Sequence, residues 1–111
     1  MKKDKVYLTH ILDAISDVEK FMQEVSEEEF FVNKEKQYAV LRGLEIIGEA
    51  SKNLSNELKE KSSNVDWKDI AGMRDKLIHA YFGVNLPLVW ETVKMDLPQL
   101  KKQVLLLLKG L

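Results

Sequence analysis

One stretch of the chain gathers the side chains that are best suited to proton transfer and anion binding. Residues 72–85 contain Arg74, Asp75, His79 and Tyr81. A histidine can take up or release a proton near neutral pH, and an arginine can bind an oxyanion through two parallel hydrogen bonds. This segment is therefore the candidate site.

The spacing predicts how these side chains lie on a third helix, which we expect from about Trp67 to Ala80. Asp75 and His79 are four residues apart, so they share a face and the carboxylate can orient or charge the imidazole. Arg74 and His79 are separated by about 140° around the axis and about 7.5 Å along it. On a regular helix the two side chains cannot easily bind the same atom, but they could flank a cleft that a second chain completes. By spacing alone, an ion-paired arginine and a packed histidine are about as common as a site, so function stays open.

Other chemistry finds little support in the sequence. Glu45 and Glu49 lie one helical turn apart, a spacing that suggests a metal site, but the di-iron bundle pattern also needs Glu-x-x-His pairs, which are absent. Solvated or ion-paired carboxylates, with Arg42 and Lys52 nearby, are the favoured interpretation. The chain has no cysteine, which excludes thiolate metal sites and a cysteine nucleophile. No metal and no cofactor are expected.

The elements that position the site are expected to be helices. Apolar residues in the first two segments recur at steps of three and four, with Asp4 as N-cap of the first helix. Ser26 and Glu29 have capping-box spacing, and a short turn with two phenylalanines should follow. Asn33 caps a second helix that runs to about Leu58. The residues on these two faces, all apolar except Ser51, are Leu8, Ile11, Ile15, Val18, Met22 and Val25, then Val40, Leu44, Ile47, Ser51, Leu54 and Leu58.

Glycines and prolines mark the remaining boundaries. Gly43 and Gly48 lie inside the second helix, where glycine costs about 1 kcal/mol relative to alanine, so we expect close approach of a neighbouring helix there. Residues 59–66 should form a loop, ending at Asp66 as the cap of the third helix. A turn at Gly83 and Asn85 precedes a fourth helix, with Pro87 in its first turn and Pro98 kinking or interrupting it. The apolar tail 104–108 should be buried against the core or another chain. The prediction is an all-α, up-and-down bundle of four main helices, with room for a short fifth after Pro98, in one domain spanning residues 1–111.

Composition limits the partners. The chain has 111 residues, with 17 Lys or Arg against 18 Asp or Glu, a formal charge of −1. A non-specific nucleic-acid binder usually has a strong basic excess, so contact with RNA would need a local patch or a composite surface. The N-terminal sequence lacks the apolar stretch of a signal peptide, and the longest apolar run is too short for a bilayer. We expect a cytoplasmic protein without a membrane partner.

The candidate segment resembles a known family. Arg74-x4-His79 followed by Tyr81 is similar to the R-x4-H-x-Y signature of HEPN domains of the HepT-like type. The resemblance runs from Asp4 to about Lys102. Many members have asparagine after the arginine, where this chain has Asp75. Further similar blocks, in the family's order, are 42–50, 72–74, 81–84, 90–92 and 96–98.

The resemblance implies a bundle that forms a homodimer, with the two motifs facing each other in an interfacial cleft. It implies the toxin of a toxin–antitoxin pair, a metal-independent endoribonuclease that cuts RNA, with Arg74 and His79 catalytic and Asp75 in support. The partner would be a nucleotidyltransferase-fold (MNT) antitoxin that transfers AMP to Tyr81. Without the resemblance, an ordinary half-buried tyrosine would be preferred at this position.

The residue types suit that reaction, because RNA carries its own nucleophile in the 2′-OH. His79 can act as acid or base, and Arg74 can stabilise charge on the phosphate. The alternative is a non-catalytic module that binds nucleotide, RNA or its partner protein, and a third possibility is a structural helical dimer. The sequence leaves these alternatives open.

Overall fold

The computed structural model describes residues 2–79 and 83–111. Helices make up nearly all of the regular structure in these ranges, which confirms the predicted all-α fold. In chain order the elements are α1 (Lys2–Phe21), α2 (Glu27–Val32), α3 (Lys34–Lys52), α4 (Asn56–Lys61), α5 (Trp67–Ala71), α6 (Met73–Leu77), β1 (Ile78–His79), β2 (Gly83–Val84), α7 (Leu86–Glu91), a π-helical turn (Thr92–Asp96) and α8 (Leu97–Lys109).

The two longest helices, α1 and α3, pack against each other along their apolar faces. A Cβ atom at Gly43 would overlap the side chain of Val18, so the glycine permits the helices to approach closely, as the sequence predicted. We call this packed surface the seam. It consists of the buried residues Leu8, Ile11, Ile15, Val18, Val40, Leu44 and Ile47.

Side-chain caps start several helices where the sequence placed them. Ser26, Asn33 and Asp66 each accept a hydrogen bond from the backbone N–H three residues later, at 3.0–3.1 Å. The expected turn after Ser26 is wrong, because residues 27–32 form α2 and bury Phe30 completely. The second predicted helix also ends earlier than expected, at Lys52, and a new helix, α4, follows.

Asp4 is not the N-cap of α1, which begins before it at Lys2. Its carboxylate is almost completely buried and accepts two hydrogen bonds from Ser55, one from the N–H at 2.8 Å and one from the hydroxyl at 2.6 Å. Ser55 Oγ in turn accepts from the N–H of Leu58 at 3.1 Å. Asp4 therefore fastens the start of α4, which covers part of the predicted 59–66 loop, to α1.

The third predicted helix is wrong in its second half. Gly72 separates α5 from α6, and α6 ends at Leu77 rather than at Ala80. Ile78 and His79 instead pair antiparallel with Val84 and Gly83. The N–H of Asn85 also donates to the carbonyl of Leu77 at 3.0 Å. These backbone hydrogen bonds of a hairpin, between residues four to eight apart, replace the helical ones. We call residues 67–84 the motif segment.

Residues 86–109 form one long helical stretch, with Pro87 in its first turn as predicted. The interruption that we expected at Pro98 occurs just before this residue, as the π-helical turn. There the N–H of Leu97 donates to the carbonyl of Thr92. Proline has no N–H, so the regular i to i−4 pattern cannot continue through this point. Beyond it, Val104 is buried, whereas Leu105 and Leu106 are exposed, so the tail is only partly covered by its own chain. None of the helices in the described ranges is long and apolar enough to cross a membrane.

Candidate functional site

The predicted site residues fall on two short, consecutive elements. Arg74 and Asp75 lie on α6, and His79 lies in β1, with its backbone paired to Gly83. Tyr81 is outside the described residues. The chain thus passes directly from the helix that contains the arginine to the strand that contains the histidine.

Arg74 is half exposed and is held by an ion pair that the sequence analysis missed. Its Nε donates a hydrogen bond to Oε2 of Glu45 at 2.9 Å. The other oxygen of Glu45, Oε1, accepts from Nη1 of Arg42 at 2.7 Å. Glu45 therefore bridges two guanidinium groups, one on its own helix and one on α6.

The close packing of α3 on α5 brings Glu45 to Arg74. A Cβ atom at Gly48 would lie 3.3 Å from the carbonyl oxygen of Ala71, so the two helices touch at this point. Glu45 is three residues before Gly48, and Arg74 is three residues after Ala71. Gly48 was the available sequence signal for a close approach, but nothing in the sequence identified the partner helix.

The predicted helical pairing of Asp75 with His79 is wrong, because α6 ends between them at Leu77. The predicted separation of Arg74 and His79 on a regular helix is wrong for the same reason. Oδ1 of Asp75 lies 3.6 Å from Nη1 of Arg74, and the Asp75 side chain is 87% exposed. The nearest charged partner that the structure gives Asp75 is thus Arg74.

Glu45 and Glu49 form ion pairs, an arrangement that the sequence favoured over a metal site. Glu45 pairs with Arg42, and Glu49 pairs with Lys52 at 3.8 Å. The hydrogen bond from Arg42 lowers the pKa of Glu45; desolvation opposes this shift, and the hydrogen bond from Arg74 reinforces it. Across residues 2–79 and 83–111, no group of three or more histidine and acidic residues is arranged to hold a metal ion.

A cavity of about 160 Å³ opens beside Arg74. Polar and charged side chains supply most of its surface, which suits a polar or ionic ligand. It is lined by Glu45, Gly48, Glu49, Lys52, Ala71, Arg74 and Asp75.

Comparison with protein families matches residues 11–107 to the model described as "Ribonuclease HepT-like". A protein of Thermococcus cleftensis named "Probable ribonuclease HepT" is 50% identical over 100 residues, which cover 90% of this chain and 91% of that protein. A protein of Caldanaerobacter subterraneus subsp. tengcongensis, provisionally named an RNase, is 50% identical over 104 residues and covers 94% and 93% of the two chains.

A longer relative comes from Methanocaldococcus jannaschii. It is 49% identical over 112 residues, which cover the whole of this chain but 50% of that protein. Its name combines a gamma-glutamylcyclotransferase with a provisional RNase. This chain therefore spans half the length of that relative, and nearly all of the length of the two others. No solved structure gives a significant match.

Proposed function

Because the chain belongs to the HepT-like ribonuclease family, we propose that it is a metal-independent endoribonuclease in which Arg74 and His79 are the catalytic residues and Asp75 supports them. The observation that carries this proposal is the placement of Arg74. Its guanidinium is exposed beside a polar cavity, yet it is held by Glu45, on a helix that leads directly into the strand containing His79.

The proposed reaction uses the 2′-OH of RNA as nucleophile. The 2′-oxygen bonds to the adjacent phosphorus, the bond from phosphorus to the 5′-oxygen breaks, and the products are a 2′,3′-cyclic phosphate and a 5′-hydroxyl. One imidazole accepts the proton of the 2′-OH and another donates a proton to the departing 5′-oxygen. Arg74 stabilises the negative charge that develops on the phosphate.

The direct test is RNA cleavage by Arg74→Ala and His79→Ala. Each substitution should lower the rate about 10²–10⁴-fold, since a positioned catalytic group is lost. Circular dichroism checks that the helical fold is retained. Lys61→Ala is the matched control, because Lys61 is also an exposed cation paired with a glutamate.

Wild-type activity should persist in excess EDTA. Cleavage at the wild-type rate by either motif variant would contradict the assignment of these residues. RNA or nucleotide binding by the wild-type protein without any cleavage would support the alternative, a non-catalytic binding module.

We further propose that the protein is a homodimer, since base and acid roles need two imidazoles and each chain would contribute one His79. The exposed leucines of the α8 tail, Leu105 and Leu106, support an apolar contact between chains. Light scattering should give a mass near twice 12.9 kDa. A strict monomer at micromolar concentration would contradict the shared site.

The proposed biological role is that of a cytoplasmic toxin whose partner is a nucleotidyltransferase-fold (MNT) antitoxin. This role rests on the R-x4-H-x-Y resemblance, in which Tyr81 accepts AMP from ATP. Added AMP would bring negative charge and bulk to the motif and so oppose RNA binding.

Incubation of the protein with the nucleotidyltransferase encoded by the adjacent gene, ATP and Mg²⁺ should add AMP. Mass spectrometry should locate this AMP on Tyr81. Tyr81→Phe should lose the modification and resist silencing. Full silencing of the Phe variant would mean that the antitoxin acts by occlusion.

A further inference from the structure

Glu45 contacts only one side of the Arg74 guanidinium. An arginine has five N–H donors, and the hydrogen bond to Glu45 uses the one on Nε. The nearest oxygen of Asp75, at 3.6 Å from Nη1, is beyond hydrogen-bond length. Among the described side chains, no acceptor lies within hydrogen-bond length of the two terminal nitrogens, so their N–H groups suit a bidentate contact with a phosphate.

The same contact restrains a side chain that would otherwise be mobile. Arg74 is 51% exposed, and a long arginine side chain at the surface samples many rotamers. Glu45 lies on α3, which is fixed in the seam by Leu44 and Ile47. The guanidinium is thus tied to the most completely packed part of the molecule rather than to its own short helix.

Arg42 in turn restrains Glu45. It lies one turn before Glu45 on α3 and donates to the carboxylate oxygen that Arg74 does not use. Two guanidinium groups share one carboxylate, so this set of three keeps a net charge of +1. The hydrogen bond from Arg42 lowers the pKa of Glu45, despite some desolvation, and the carboxylate is therefore ionised wherever a histidine titrates. Glu45 thus orients Arg74 and leaves a net positive charge on these three residues, which the exposed carboxylate of Asp75, 3.6 Å from Nη1, offsets in part.

We propose that Glu45 is a positioning residue for RNA cleavage: it holds the Arg74 guanidinium with its terminal nitrogens available to the scissile phosphate, and Arg42 keeps Glu45 in place. This inference rests on the proposed ribonuclease function and assigns that reaction a residue outside the R-x4-H-x-Y motif. Because Glu45 acts on the orientation of Arg74, its loss should affect the chemical step more than substrate binding.

The test is steady-state cleavage of one RNA substrate by Glu45→Gln and Glu45→Ala. Glu45→Ala should lower kcat about 10- to 100-fold with little change in KM. Glu45→Gln keeps an oxygen acceptor but loses the charge, so its loss in kcat should be smaller. Arg42→Ala should resemble Glu45→Gln. Glu57→Ala is the matched control: Glu57 also pairs with a basic residue on its own helix, Lys61, and it does not line the cavity beside Arg74, so kcat should be unchanged.

A second measurement separates orientation from folding. The Nε–Hε signal of Arg74, assigned by its loss in Arg74→Lys, should exchange slowly with water in the wild-type protein and rapidly in Glu45→Ala. Melting temperatures of the two proteins should agree.

Unchanged kcat in Glu45→Ala would overturn this inference and leave the ribonuclease proposal standing. A rise in kcat would also overturn it, because Glu45 would then compete with the phosphate for Arg74. A wild-type protein that cleaves no RNA would overturn the proposed function and this inference with it.

Discussion

The seam between α1 and α3 and the motif segment, residues 67–84, differ in what specifies their conformation. In the seam, side chains that recur at helical spacing are buried on both helices. In the motif segment, Met73 and Leu77 are buried one helical turn apart, but Arg74 and Asp75 between them are exposed and the helix ends at Leu77. The segment also changes from helix to strand within one turn.

The two regions therefore contribute differently to stability and to function. The seam stabilises the fold through apolar burial, which is proportional to the area removed from water. The exposed cations of the motif segment contribute little to stability and remain available for a ligand. Substitutions in the seam should therefore mainly affect unfolding, whereas substitutions of the exposed Arg74 should mainly affect activity under the proposed function.

The largest effect on stability is expected from Leu44→Ala in the seam. Leu44 is 1% exposed, and truncating a fully buried leucine lowers the free energy of unfolding by about 2–5 kcal/mol. Urea denaturation measures this change. Val32→Ala is the control, since Val32 is exposed and its truncation should change stability by about 0.5 kcal/mol or less. Equal effects of the two substitutions would contradict the assignment of the seam as the stabilising core.

Asp4→Asn should have the next largest effect. The carboxylate accepts two hydrogen bonds from Ser55, and a hydrogen bond to a charged group is worth about 1.5–3 kcal/mol. Burial raises the pKa of Asp4, but the hydrogen bonds from Ser55 outweigh it, and the net pKa lies below 3.8. A lowered pKa stabilises the folded state above the unfolded-state value, and this contribution is lost as pH falls through the folded-state pKa.

Urea denaturation of wild type and Asp4→Asn should thus differ most near neutral pH and converge as the solution is acidified below 3.8. Asp96→Asn is a control that should have the opposite effect on stability. Burial, together with the charges of Glu91 and Asp69, raises the pKa of Asp96, so removing its charge should stabilise the protein near neutral pH. A pH-independent difference between wild type and Asp4→Asn would mean that the carboxylate charge has no part in fastening α4.

A smaller loss is expected from Gly43→Ala. The added methyl group would overlap Val18, and overpacking of this kind costs about 1–3 kcal/mol, partly offset by about 1 kcal/mol of improved helix propensity. Gly110→Ala tests the same change at the end of α8, where the nearest atom to a new Cβ, the carbonyl oxygen of Leu107, is 3.7 Å away. In thermal denaturation, the melting temperature of Gly43→Ala should be clearly lower than that of Gly110→Ala. The reverse order would mean that the close helix approach lies elsewhere.

The smallest effect on stability is expected from Arg74→Gln. The side chain is 51% exposed, and surface substitutions usually change the free energy of unfolding by about 0.5 kcal/mol or less. RNA cleavage by the same variant should nevertheless fall steeply under the proposed function. A large loss of stability would show that Arg74 belongs to the structural core, and the contrast between the two regions would then disappear.

Helical periodicity predicted the seam well because each of the two helices buries one continuous face. An apolar residue at the expected spacing therefore lies in that buried face. Caps were equally readable: Asn33 and Asp66 bond to a backbone N–H only three residues away. Asp4 shows the limit of such reasoning. An aspartate near a helix start looks like a local cap, but its partner, Ser55, lies 51 residues away.

The candidate site was predicted in part. Sequence reasoning selected the segment that contains Arg74 and His79 and paired Glu45 with Arg42. It did not find the pairing of Glu45 with Arg74, which spans 29 residues. That contact depends on which helix packs on Gly48, and an isolated glycine indicates close approach without identifying the neighbour.

The amino-acid sequence by itself determined which residues become helical and which faces are apolar, because these properties depend on neighbours within about one helical turn. Only the tertiary structure decided that α6 ends at Leu77, that His79 pairs with Gly83, and that Glu45 meets Arg74. The pairing of His79 with Gly83 joins residues only four apart, so hairpin and helix are both locally possible there, and the packing of the surrounding helices decides between them. The position of the proposed catalytic arginine is therefore a property of the assembled bundle.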